Sequence, residues 1–149
     1  MSEALNILKI SKTKRNLLIH VIQLLSNNLW SDITLEDIER HLCKTRGAIF
    51  HHFKTKEELF THAILYFIAH ITNVLEHTPD SSLETILECL ESEFKIENPR
   101  NGFFNLVLQA KYKNIKAINN IFSYINEVNI TKEQNTIGKK FINMCCSWS

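Results

Sequence analysis

Residues 33–60 read ITLEDIERHLCKTRGAIFHHFKTKEELF, and the punctuation of this stretch decides the fold. Thr34 stands just before a short apolar period formed by Leu35, Ile38 and Leu42. A threonine hydroxyl at that place accepts a first-turn amide, and Glu36 and Asp37 lie near the positive end of the helix dipole. The spacing predicts a short helix, a tight connection at Cys43-Lys44, and a further helix opened by Thr45 whose buried contacts are Ile49 and Phe53. Thr55, with Glu58 three residues on, is a capping box for the helix that follows.

Helix, three-residue turn and helix is the arrangement that lays a second helix in a DNA major groove, ~12 Å wide, while the first holds it there. In this spacing Glu39 falls between the two helices, Cys43 takes the turn position and Ile49 pins the second helix to the core. A left-handed turn favours glycine, so Cys43 makes it less favourable by roughly 1 kcal/mol. Charge supports the arrangement. Lys44, Arg46, Lys54 and Lys56, with His51 and His52, occur between Cys43 and Lys56 without a carboxylate. A one-sided cationic face is what phosphate binding needs. Residues 1–62 carry nine Lys and Arg against seven Asp and Glu, and residues 63–149 eight against nine, so the net charge of +1 divides into +2 and −1.

Outward from this centre the apolar residues recur at three- and four-residue steps, and only 3 Gly and 2 Pro interrupt them, which predicts an all-α chain. A first helix is expected over 12–28, with Leu17, Val21, Leu24 and Leu25 as its stripe. The helix opened at Thr55 should continue through Phe67 and Ile71 to about His77. A fifth, with Ser81 and Glu84 as its capping box, should carry Leu83, Leu87, Leu90 and Phe94, followed by a loop at 98–102. Helix is expected again over 103–128, interrupted near Asn114, and a last one from Thr131 with Phe141, Met144, Cys145 and Trp148 on it.

Taken together, residues 11–62 resemble the N-terminal domain of the TetR family of bacterial transcriptional regulators. The resemblance rests on Thr34, Asp37-Ile38, Thr45-Arg46-Gly47, Phe50-His51-His52-Phe53 and Lys56-Glu57 with Leu59, in order and without gaps. It implies that Thr45, Arg46, Gly47 and Ala48 face base edges and that Thr34, Phe50, His51, His52 and Lys56 lie near phosphates. Residue chemistry adds that Arg46 suits guanine, Ala48 a thymine methyl, and that Lys44 extends its head toward phosphate while its stem packs. Phe50 stands where the family usually has Tyr, and so lacks a hydroxyl for a phosphate.

The domain organisation expected is a helix-turn-helix DNA-binding domain over 1–62 and a short helical dimerisation and effector-binding domain over 63–149. The resemblance implies a homodimer on a near-palindromic double-stranded operator, acting as a repressor released by a small apolar effector. An effector cavity would draw on Phe103, Phe104, Tyr112, Phe122 and Tyr124. The rival readings are an interaction protein, or a small-molecule binding module, with a DNA-reading head impaired by Glu39, Cys43 and Phe50.

Other classes fare worse. GxGxxG, GxxxxGK, GxSxG and HExxH are all absent, and Gly47, Gly102 and Gly138 form no glycine-rich loop, so neither an enzyme nor a cofactor is expected. His51-His52 has no Cys or carboxylate at ligand spacing on its short helix, and no metal site is expected. Cys43, Cys89, Cys145 and Cys146 show no CxxC spacing and read as free thiols. The amino-terminal residues do not have the order of a secretory signal, and no stretch reads as long and apolar enough to span a membrane, so the expected location is the cytoplasm.

Overall fold

The computed structural model describes residues 9–78 and 83–122 of the 149-residue chain. The expected last helix with Cys145 and Cys146, Ser81 of the expected capping box, and Tyr124 lie outside the described residues. Among the described residues there are six α-helices: α1 (Lys12–Asn27), α2 (Leu35–Leu42), α3 (Arg46–Phe50), α4 (Lys56–Glu76), α5 (Leu83–Ser92) and α6 (Pro99–Tyr112). Single 3-10 turns occur at Trp30–Asp32 and Lys116–Ile118, and residues 119–122 are again helical. There is no strand among the described residues. The described residues are all-α, with an amino-terminal helix-turn-helix followed by a second helical layer.

Ser11 opens α1 by accepting from the Lys14 amide at 3.2 Å, and the helix buries Leu17, Leu18, Val21, Ile22 and Leu25. The 3-10 turn after it folds Trp30 inward, where the ring meets Phe60 edge-on at 5.1 Å and its indole N–H donates to Glu57 at 3.0 Å. Lys113 completes this knot, its ammonium 4.7 Å above the Trp30 ring and 3.6 Å from the Glu57 carboxylate.

α4 is the central helix. It buries Leu59, Phe60, Ala63, Ile64, Tyr66, Phe67, Ile68, Ile71 and Leu75, because α1 packs on one side of it and α5 on another. Contrary to the sequence expectation, this helix of 21 residues contains an 18-residue window of mean hydropathy 1.2 and is long and apolar enough to cross a membrane by length and composition. More than half of that window, 56%, is buried against the other helices, which accounts for its apolarity as core.

Two boundaries depart from expectation for identifiable reasons. α5 ends at Ser92, so Phe94 lies beyond it, in a turn where Lys95 adopts a left-handed φ of 56° and the Ile96 amide returns to the Leu90 carbonyl at 3.0 Å. Phe94 is buried there among the rings of Phe67 and His70, at 5.9 and 5.2 Å. The expected loop at 98–102 is instead the first turn of α6: Pro99 occupies a position whose N–H has no helical partner anyway. Gly102 sits inside that helix because a Cβ would fall 2.7 Å from Ile96 Cγ2 and 3.3 Å from Ser26 Cβ.

The close approach at Gly102 lets α6 grip the end of α1. Asn105 donates to the Ser26 carbonyl at 2.8 Å, and Gln109 to the carbonyls of Leu25 and Asn28 at 2.6 and 3.0 Å. Helix ends leave carbonyls without partners, and here side chains of the second layer supply them. Asn114, at a left-handed φ of 59°, ends this segment near the expected interruption.

Candidate nucleic-acid interface

α2 begins with a complete capping box. The Thr34 hydroxyl accepts from the Asp37 amide at 3.1 Å, and Asp37 accepts in return from the Thr34 amide at 2.9 Å. Reciprocal satisfaction of two end donors fixes where the helix starts. It ends at Cys43, whose φ of 54° and ψ of 42° are left-handed, as the turn position demands. Its thiol donates to the Arg40 carbonyl at 3.6 Å. The next helix, α3, is opened by Thr45, which accepts from the Ala48 amide at 3.2 Å. Ile49 is fully buried, and Phe53 just beyond the helix is 2% exposed. With those anchors inward, Arg46, Gly47, Ala48 and His51 face outward.

Gly47 is informative because the protein itself does not require it. Its φ is not positive, and a Cβ built on it meets nothing within 4 Å. Glycine inside a helix is roughly 1 kcal/mol less favourable than alanine. Neither backbone strain nor internal packing accounts for it.

Beside Gly47 lies a shallow depression of about 370 Å³, lined by Thr13, Leu17, Lys44, Gly47, Ala48, His51 and His52. It joins the start of α1 to the outer face of α3. Lys44 is exposed at its rim, and the rings of His51 and His52 lie edge to face at 5.3 Å. The Phe50 ring is half-buried and packs on the core. Lys56 is the first residue of α4, its ammonium 5.6 Å above the Phe60 ring. Thr55 caps α4 through the Glu58 amide at 3.0 Å, as expected, but the Glu58 carboxylate reaches the Lys54 amide at 2.9 Å rather than the amide of Thr55.

Two members of the helix pair behave differently from expectation. Glu39 is not enclosed between α2 and α3: its side chain is a third exposed and accepts from Arg46 Nε at 2.6 Å. Enclosing an unpaired carboxylate is costly, so it leans to the nearest cation. Arg46 also donates through Nη2 to Glu36. The Glu36 carboxyl is held below its ordinary range, first by its own backbone amide and then by Arg46. The guanidinium is stabilised in its charged form chiefly by the Glu39 hydrogen bond. Asp37 is likewise lowered, by the Thr34 amide and hydroxyl.

Thr13 and the carboxylates at 36 and 39 were missed as parts of this face. A signal for the former exists: between Glu3 and Asp32 the chain has no carboxylate but carries Lys9, Lys12, Lys14 and Arg15. The Lys14 ammonium sits 5.2 Å from the Phe53 ring centre, which ties this run to the end of the helix-turn-helix.

The expected effector residues are distributed otherwise. Phe103 and Phe122 are buried, Phe104 is half-buried and Tyr112 is 80% exposed, so the described members do not line one enclosed space. A different depression, about 250 Å³, lies where α1, α4 and the turn after α5 meet, lined by Arg15, Ile19, Tyr66, His70, Glu93 and Phe94. Burial pushes the His70 pKa down and the Tyr66 pKa up. Among the described residues no cluster of His, Cys, Asp or Glu is arranged to hold a metal.

Residues 24–63 match the family model for bacterial regulatory proteins of the tetR family. No curated protein and no solved structure matches the chain.

Proposed function

We propose that this chain, whose residues 24–63 match the model for bacterial regulatory proteins of the tetR family, is a DNA-binding regulator that acts as a homodimeric repressor on a near-palindromic operator. Two copies of α3 would meet half-sites about one helical turn, ~34 Å, apart. Thr45, Arg46, Gly47 and Ala48 would face base edges, with Thr34, Lys44, His51, His52 and Lys56 toward phosphates. Phe50 serves as packing beneath them. A small apolar effector acting on the second layer would alter the separation of the two heads and release the operator. Regulators of this family are not enzymes as a rule.

The observation that carries the reading is Gly47: a helical glycine that neither strain nor packing explains is accounted for by close approach of something outside the protein. The test is a fluorescence-anisotropy titration of promoter DNA beside the protein's own gene. Lys56→Ala is expected to weaken binding to all sequences alike and to reduce the salt slope by about 1. Absence of binding at low salt would favour the rival reading of an interaction protein.

A further inference from the structure

The arginine best suited to guanine is already held by its own protein. Glu36 and Glu39 lie three residues apart on α2, on the side that faces the start of α3, and both accept from Arg46. The bonds fall on one edge of the guanidinium: Nε to Glu39 and Nη2 to Glu36. Nη1 has no partner among the described residues. A guanidinium carries five N–H donors in a rigid fork, so filling the Nε edge leaves the Nη1–Nη2 edge able to give two parallel bonds. The guanine O6 and N7 acceptors need such a pair.

The charge of this cluster matters as much as its geometry. Two carboxylates and one guanidinium sum to −1, at the start of a helix otherwise flanked by Lys44 and the Lys54–Lys56 run. A phosphate approaching Arg46 is repelled by that net negative charge, whereas a guanine edge, which carries partial charges but no net charge, is repelled much less. Exposed ion pairs are individually weak, but two on one guanidinium act as a small network that fixes its orientation.

We propose that Glu36 and Glu39 are specificity determinants of the reading head: they position Arg46 and bar it from phosphates, so that it answers only to a neutral base edge. This rests on the DNA-reading function proposed above. Removing both charges without changing shape frees Arg46 to pair with any phosphate, which raises affinity for arbitrary sequence and erodes discrimination.

The experiment uses the full chain and its Glu36→Gln/Glu39→Gln variant, with Glu39→Gln alone as a second variant that leaves the first turn of α2 intact. Circular dichroism checks that each is folded. Each is titrated against the duplex that the wild type enriches from a randomised pool, and against the unenriched pool, over a salt series. For the double variant the salt slope on the pool is expected to steepen by about 0.9 for one newly engaged phosphate. Its pool binding therefore falls about 3.5-fold further than that of the wild type between about 50 mM and about 200 mM salt. Its preference for the enriched duplex shrinks, and Glu39→Gln alone moves both readouts in the same direction. Arg46→Ala in the wild-type background is expected to lose preference for the enriched duplex with its pool salt slope unchanged. If the wild type discriminates between duplexes and the glutamine variants keep the same preference and slope, the inference is overturned while DNA reading stands. If no protein binds either duplex at low salt, DNA reading itself is refuted and the inference goes with it.

Discussion

Replacing Gly47 with alanine should make the protein more stable and worse at its task. The position is helical, exposed and free of positive φ, and the added methyl meets nothing within 4 Å. Where the native backbone already suits alanine, the change stabilises by about 0.4–1 kcal/mol, mostly by restricting the unfolded chain. For a chain of this size that corresponds to a midpoint rise of about 1–4 °C. In the proposed DNA-binding mode the same methyl would occupy the space into which a base edge or sugar must come. An overpacked contact costs about 1–3 kcal/mol, or roughly fivefold to 150-fold in affinity. Thermal unfolding followed by circular dichroism reads the first effect, and anisotropy titration of the duplex enriched by the wild type reads the second. A variant that is stabilised yet binds that duplex with unchanged affinity would refute the placement of Gly47 against DNA. A destabilised variant would refute the account of its local environment.

Two further outcomes follow from the geometry. Cys43→Gly relieves a left-handed backbone that costs about 1–2 kcal/mol for a side-chain-bearing residue. Against that stands about 0.4–1 kcal/mol from greater freedom of the unfolded chain, so the net gain in urea unfolding should lie between about 0 and about 1.6 kcal/mol, whereas β-branched Cys43→Val should lose stability. His70 gives a pH signature: burial depresses its folded pKa below the ordinary 6.5. Its contribution to stability is therefore present above pH 6.5 and lost as pH falls through the folded value, and His70→Gln should flatten that part of the profile of midpoint against pH.

The parts legible in the sequence were those set by local chemistry. Thr34, Thr45 and Thr55 announce three helix starts, because a capping hydroxyl acts within three residues of itself, and all three cap as expected. Cys43 was legible as a turn for the same reason. What escaped reading depends on residues distant along the chain. Gly102 looks like a loop residue until Ile96 and Ser26 are seen to crowd it. Phe94 fits the period of α5, yet the chain turns before reaching it and the rings of α4 claim it. At the site, the basic run was visible, but the capture of Arg46 by Glu36 and Glu39 was not. Their seven- and ten-residue separations from Arg46 become contacts only once the Cys43 turn has folded α3 back along α2.

The bonds from Asn105 and Gln109 to the last carbonyls of α1 bear on how such a protein can be taken apart. The first helix is finished by side chains that arrive some eighty residues later, 79 for Asn105 and 84 for the buried Gln109 bond. A fragment cut after the helix-turn-helix would leave those carbonyls, and the apolar side of α1 that faces α6, to water. Transplanting the head onto another body would thus need α6 to travel with it, and any regulatory signal reaching α6 is already in direct contact with the helix that supports DNA reading.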